Sequence, residues 1–224
     1  MGLQLRADTF FCIANHRVAL LDLKADRYFC LPLKADAAFQ RLVTGHALDT
    51  ADMASLEPFI RNGLLEEPPG GIVRCEDPTI GAPVASVVDE IAPTQWGSIA
   101  MLDAISTRLR ASARIKRRSI HTVIAHIQQR KRSTKQQQVT RSYEGIEGSL
   151  GAFLQTRKVI PTHDRCLPWS IALVDYLAKR RYFPDLVIGV KMKPFAAHAW
   201  VQIGDRVLSD RLDEVLPYTP ILVV

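Results

Sequence analysis

Residues 166–212 constrain the fold most. They read as one apolar helix followed by three short β-type runs, with a cysteine at the helix start and a histidine and an aspartate further along. The helix begins at Cys166-Leu167-Pro168, where proline suits the first turn because its missing N–H would have no partner there. Ile171, Val174, Leu177 and Ala178 share one apolar stripe, and Lys179-Arg180-Arg181 place cations at the carboxyl end, where the helix dipole favours them. Pro184 then blocks continuation. Strands are expected over Leu186–Met192, Ala197–Ile203 and Arg206–Leu212.

This order carries a chemistry. A cysteine at a helix amino end sits among unpaired N–H groups that favour thiolate. A thiol nucleophile also needs a base beside it and a third group to orient that base. Cys166, His198 and Asp210 supply the three types. Taken singly each has a plain alternative: a small buried thiol, a core histidine beside Trp200, and a strand-end acid. The Gly204-Asp205 turn decides how the last two meet. A two-residue loop pairs Ile203 with Arg206 and turns Asp210 away from His198. A three-residue loop, Ile203-Gly204-Asp205 with a bulge, pairs His198 directly with Asp210, and this register is the expected one.

The first 67 residues form a second unit. Thr9–Ala14, Val18–Leu23 and Arg27–Leu31 are apolar runs at hairpin spacing, and Ala38, Phe39 and Leu42 mark a helix that ends at Gly45. Asp49-Thr50 starts another helix, with Leu56, Phe59 and Ile60 inward and Asn62-Gly63 at its end. Three strands followed by two or three helices suggest a winged-helix-like module, and Pro68-Pro69-Gly70-Gly71 reads as a linker. The fold class is therefore α+β: a recognition domain over 1–70, a linker and basic helical segment over 71–148, and a catalytic domain over 149–224.

The net charge of +6 belongs to one segment. Residues 104–143 hold eleven Lys or Arg and no acid, and the rest of the chain carries 18 basic against 23 acidic residues. Two helical stripes cross this region: Trp96, Ile99, Leu102, Ile105 and Leu109, then Ile120, Val123, Ile124 and Ile127. The basic residues around them form either a solvated helix face or a surface for an acidic peptide, a partner protein or a nucleic acid. Residues 1–67 hold more acidic than basic residues and show no aromatic–basic interleaving, which argues against a nucleic-acid module. No stretch suits a membrane span or a secretion signal, so a cytoplasmic location with thiols rather than disulfides is expected. Cysteines at 12, 30, 75 and 166 have no metal-ligand spacing.

With these residues in view, Cys166-Leu167-x-x-Ser170-x-Ala172-Leu173, Ile188-Gly189-Val190, Ala197-His198-Ala199-Trp200-Val201 and Leu208-Ser209-Asp210 resemble the lasso-peptide leader peptidases. These are maturation proteases with a transglutaminase/papain-like cysteine-protease fold. The resemblance covers about 150–224 and puts nucleophile, base and orienting acid on Cys166, His198 and Asp210. It departs at Gln202, where many relatives carry an acid, and at Pro168-Trp169, where they are more polar.

The amino-terminal unit is similar to the small peptide-recognition element of such pathways. That similarity implies that a precursor's leader adds as a strand along Arg27, Tyr28, Phe29 and Leu31 and is gripped by Leu56, Phe59 and Ile60. The family implies a partner too: an ATP-using, asparagine-synthetase-like cyclase that closes the macrolactam. No G-x-x-x-x-G-K-[ST] occurs in the chain, so no cofactor is expected in it and ATP belongs to the cyclase. Two alternatives share these residues: a transglutaminase-like acyltransferase, and a winged-helix protein that binds nucleic acid or peptide without catalysis.

Overall fold

The computed structural model describes residues 2–67, 80–90, 98–136, 145–161 and 165–224. The Pro68–Gly71 linker, Cys75, Trp96 and residues 137–143 of the basic segment lie outside the described residues.

The amino-terminal part is a three-stranded antiparallel meander, β2 (Thr9–Ala14), β3 (Arg17–Asp22) and β4 (Arg27–Cys30). Two helices follow, α1 (Leu33–Val43) and α2 (Thr50–Arg61), and a short ladder joins β1 (Gln4–Leu5) to β5 (Leu65–Glu66). Asn15 and His16 make the first turn, with φ of 50° and 61°, the left-handed pair that a two-residue hairpin requires. Asp49 caps α2 by accepting from Asp52 N–H at 2.7 Å, and the Asp52 carboxylate accepts back from Asp49 N–H.

Strand periodicity splits this sheet between two cores. Phe11, Val18, Leu20 and Phe29 face Phe39, Leu42 and Leu56 of the helices. Cys12, Ala14, Ala19, Leu21 and Tyr28 face the carboxyl-terminal half, where β2 lies against its edge strand. A sheet covered on both sides has no polar face to show, which is why Thr9–Ala14 and Arg17–Asp22 read as nearly continuous apolar runs.

The second half is built on α7 (Cys166–Ala178), buried almost all round from Trp169 to Leu177. On one side it meets α4 (Ser98–Arg117) and α6 (Ile146–Gln155), with a 3₁₀ turn at Thr156–Lys158; α5 (Ile120–Gln136) follows α4. On the other side is a five-stranded sheet of β6 (Ala85–Ser86), β7 (Asp185–Met192), β8 (Phe195–Ile203), β9 (Arg206–Val207) and β10 (Thr219–Val223). Its order is β10-β7-β8-β9-β6, antiparallel except for the β6–β9 pair. Short helices α3 (Val87–Glu90) and α8 (Leu212–Val215) flank the sheet.

Three expectations need correction. The run expected over Arg206–Leu212 is a strand only at Arg206–Val207 and then bends. Its register is the two-residue one, with Ile203 opposite Arg206 and Gln202 opposite Val207, so the bulged pairing is absent. On α4 the apolar stripe points outward: Ile99, Leu102 and Leu109 are exposed, while Ala104, Thr107, Arg108 and Ala111 face in. Small residues let α4 approach α7 closely, and Arg108 reaches the core because carbonyl oxygens receive its guanidinium. The second stripe packs inward, with Val123, Ile124 and Ile127 buried.

Part of the basic segment is structural. Arg114 and Arg130 bracket Asp175 at 2.5 and 2.9 Å, and Lys131 pairs with Asp185. Lys179 and Arg180 hold Asp103 at 2.7 and 2.9 Å. Among the described residues, no helix is long and apolar enough to cross a membrane.

Candidate active site

Cys166 is the first residue of α7, and Arg165 before it offers no side-chain cap, so the N–H groups of the first turn face the thiol. Ser170, one turn on, donates to Ala199 O at 2.9 Å and pins α7 to β8. This brings the sulfur beside His198 and the backbone N–H groups of Ala199 and Leu167, which favour its thiolate form. Burial alone pushes the thiol up; these donors and the imidazole outweigh it, and the Cys166 pKa is lowered.

His198 and Asp210 meet although their strands are not in the expected register. β9 stops after two residues, with Leu208 N–H donating to Val201 O at 2.8 Å. Ser209 then replaces a strand partner: its Oγ accepts from Val201 N–H at 2.8 Å and donates to Asp210 Oδ2. Ser86 Oγ holds the Asp210 carbonyl at 2.6 Å. The bend delivers Asp210 Oδ1 to 3.7 Å from His198 Nε2. That is ion-pair contact rather than a hydrogen bond, and Nε2 has no hydrogen-bond partner among the described residues. Burial disfavours the imidazolium, but Asp210 and Cys166 more than compensate and raise His198 to about 9.

Two aromatic rings neighbour the imidazole. Tyr218 lies 5.3 Å away and Trp200 6.3 Å away, nearly parallel at 17°. Gly189 faces His198 across β7–β8, and a Cβ there would stand 2.7 Å from the Trp200 ring. Gln202, the departure from an acid, accepts from Trp200 Nε1 at 3.0 Å and donates to Gly81 O and Gly204 O at 2.6 and 2.7 Å. A carboxylate could not make those two donations. Trp169, the other departure, donates to Ser209 O at 3.2 Å, and the guanidiniums of Arg108 and Arg157 lie 4.6 Å from its ring centroid on either count. Arg157 also touches Asp210 Oδ1, at 3.2 Å.

Sequence reasoning did not find Ser86, Arg157, Ser209 or Tyr218 at this site. Ser209 lies within Leu208-Ser209-Asp210, where Ser-Asp at the end of a strand is its local signal. Ser86 is 124 residues from Asp210, and no local signal joins them.

Of the recognition residues, Arg27, Tyr28 and Phe29 lie on β4, which is an edge of the three-stranded sheet. Tyr28 turns towards the carboxyl-terminal half: its ring is 5.7 Å from Phe195 on β8, and burial together with Asp26 and Cys166 pushes it up to about 12. Arg27 and Phe29 form a cation–π pair at 5.5 Å. Leu31 and Leu56 are buried, and Phe59 and Ile60 pack partly exposed on the same helical core. Cys30 and Cys166 are free thiols. Among the described residues no cluster of His, Cys, Asp or Glu is placed to hold a metal.

The sequence profile of the transglutaminase-like superfamily matches residues 105–223, from within α4 to the end of β10. The chain belongs to the transglutaminase-like superfamily. The matched region holds Cys166, His198 and Asp210 and the part of α4 that carries Arg108. The chain is also similar to the microcin J25-processing protein McjB of Escherichia coli, with 44% identity over 45 residues. That stretch is 20% of this chain and spans about a fifth, 22%, of that relative's length. No solved structure matches the chain.

Proposed function

We propose that this protein is a cysteine peptidase that removes the leader from a ribosomally made lasso-type precursor. The observation that carries the reading is the contact chain from Cys166 to His198 to Asp210, on a transglutaminase-like domain packed against a sheet with a free edge. The likeness to a microcin-processing protein points to a peptide precursor as substrate.

The lowered Cys166 and the raised His198 both shift the site towards a thiolate–imidazolium pair. The thiolate attacks the carbonyl carbon at the leader–core junction. The tetrahedral oxyanion collapses as His198 gives its proton to the leaving amine, freeing the core and leaving the leader as a thioester on Cys166. Water, deprotonated by His198, then attacks the thioester and releases the leader acid. Asp210 stabilises the imidazolium through each step. The Cys166 N–H at the helix start is the oxyanion donor this geometry favours.

The leader pairs with the free edge of β4, Arg27–Cys30, where backbone hydrogen bonds supply affinity and side-chain pockets specificity. Tyr28 and Phe195 make that edge continuous with the catalytic hairpin. The freed amino group passes to an asparagine-synthetase-like cyclase, which uses the ATP.

The test is cleavage of a precursor encoded beside the gene in H₂¹⁸O, with and without the cyclase and ATP. A peptidase gives two fragments, with one ¹⁸O in the new leader carboxylate. A mass-shifted conjugate with an amine, and no labelled acid, would instead establish acyl transfer. An intact precursor under every condition would overturn the reading.

A further inference from the structure

Asp210 serves two cations. Its Oδ1 stands 3.7 Å from His198 Nε2 and 3.2 Å from Arg157 Nη2, so the carboxylate leans towards the arginine. Arg157 comes from the 3₁₀ turn after α6 and is itself held: Nη2 donates to Ser209 O as well, and the guanidinium lies 4.6 Å from the Trp169 centroid. Arg108 stacks on the same ring at 4.6 Å and is buried. Its hydrogen bonds go to Thr156 O, Thr156 Oγ1 and Ile160 O at 2.7, 2.9 and 2.8 Å, none of them a carboxylate. Burial and the neighbouring Arg157 lower Arg108 to about 10. Among the described residues, Asp210 is the acid that Arg157 touches.

We propose that Arg157 acts on His198 through Asp210: it neutralises part of the charge that the carboxylate presents to the imidazole. Trp169 and the Ser209 carbonyl hold Arg157 against movement away from the site. The carboxylate cannot swing off on its own, because Ser209 Oγ donates to its other oxygen and Ser86 holds its carbonyl. Removing Arg157 therefore leaves Asp210 in place with more of its charge directed at His198.

The other charged or titratable groups around the pair lie on separate elements. Cys166 comes from α7, Tyr28 from β4, and Tyr218 precedes β10 with Lys191 of β7 above its ring at 5.2 Å. Arg211 is turned outward, to Asp213 and Asp89 at 3.2 and 3.5 Å. None of these contacts Arg157, so substituting it changes one charge at the site.

The inference shares with the proposed function only the pairing of His198 with Asp210, and its readout needs no substrate. The experiment is a pH titration of the histidine ¹³Cε1–¹H signals in the full chain, with His198 assigned by His198→Gln among the six histidines. Arg157 and His198 contact the same oxygen, so their charges lie within about 7 Å of one another. At that separation, in partly screened surroundings, losing the cation should raise the His198 midpoint by roughly one pH unit. Arg157→Gln is expected to show that rise, and Arg157→Lys to stay near the wild-type midpoint of about 9. The other five midpoints serve as the fold control. If Arg157→Gln disturbs them, Arg157→Met, which keeps packing on Trp169, takes its place with the same expected rise. An unchanged or lowered His198 midpoint, or a lysine variant that behaves like glutamine, would overturn the proposal.

Discussion

Gly189→Ala adds one methyl group to a strand that has no room for it. Gly189 has no left-handed backbone to defend, so in open space alanine would be neutral or stabilising. The new Cβ, however, would stand 2.7 and 2.8 Å from Trp200 Cζ3 and Cη2 and 3.1 Å from Thr219 O. Carbon pairs rest near 3.5–4.0 Å, so the indole must move by about 1 Å. It is 1% exposed, tied through Nε1 to Gln202 at 3.0 Å, and stacked towards His198. Overpacking of this kind costs about 1–3 kcal/mol, and losing the Gln202 bond adds roughly 1 kcal/mol. With a urea slope of about 2 kcal/mol/M, the unfolding midpoint should fall by roughly 1–2 M. Trp200→Phe removes the clashing ring, so the double variant should lose at least about 1 kcal/mol less than the two singles together. A Gly189→Ala protein as stable as wild type, or strictly additive losses, would refute the packing argument.

The same geometry makes further predictions. Gln202→Glu puts a carboxylate against Gly81 O and Gly204 O and should cost about 2–4 kcal/mol at neutral pH, recovering as the acid protonates; urea curves at pH 4.5 and 7.5 test this. Cys166, with its lowered pKa, should react with iodoacetamide at pH 6 faster than an ordinary thiol, and His198→Gln should abolish the difference. His198 is raised from 6.5 to about 9, so its contribution to stability is fully present below pH 6.5 and is lost as pH rises towards 9. The stability gap between wild type and Asp210→Asn should accordingly be about 1–2 kcal/mol wider at pH 6 than at pH 9, after allowance for the partial exposure of the pair.

The helix beginning at Cys166 was legible because proline, an apolar stripe and terminal cations agree on one element. The meeting of His198 with Asp210 was legible as chemistry but not as register. Gly204-Asp205 permits either loop, and the choice is made by Ser209 reaching Val201 and by Ser86 arriving from far along the chain. The α4 stripe misled because apolar spacing does not say which side faces the core. The helix turned Ala104 and Ala111 inward for close approach and buried Arg108 against carbonyl oxygens, a choice that only the partner elements dictate. The amino-terminal strands were found within a residue or two, yet their two-faced burial required the second half of the chain to be in place.

The central claim is that Cys166 is the nucleophile of a peptidase. It is tested most directly by incubating one precursor peptide with wild type and with Cys166→Ala in parallel and weighing the peptide products. The account predicts leader and core fragments with wild type, and an intact but still bound precursor with Cys166→Ala. Equal cleavage by both proteins would contradict it.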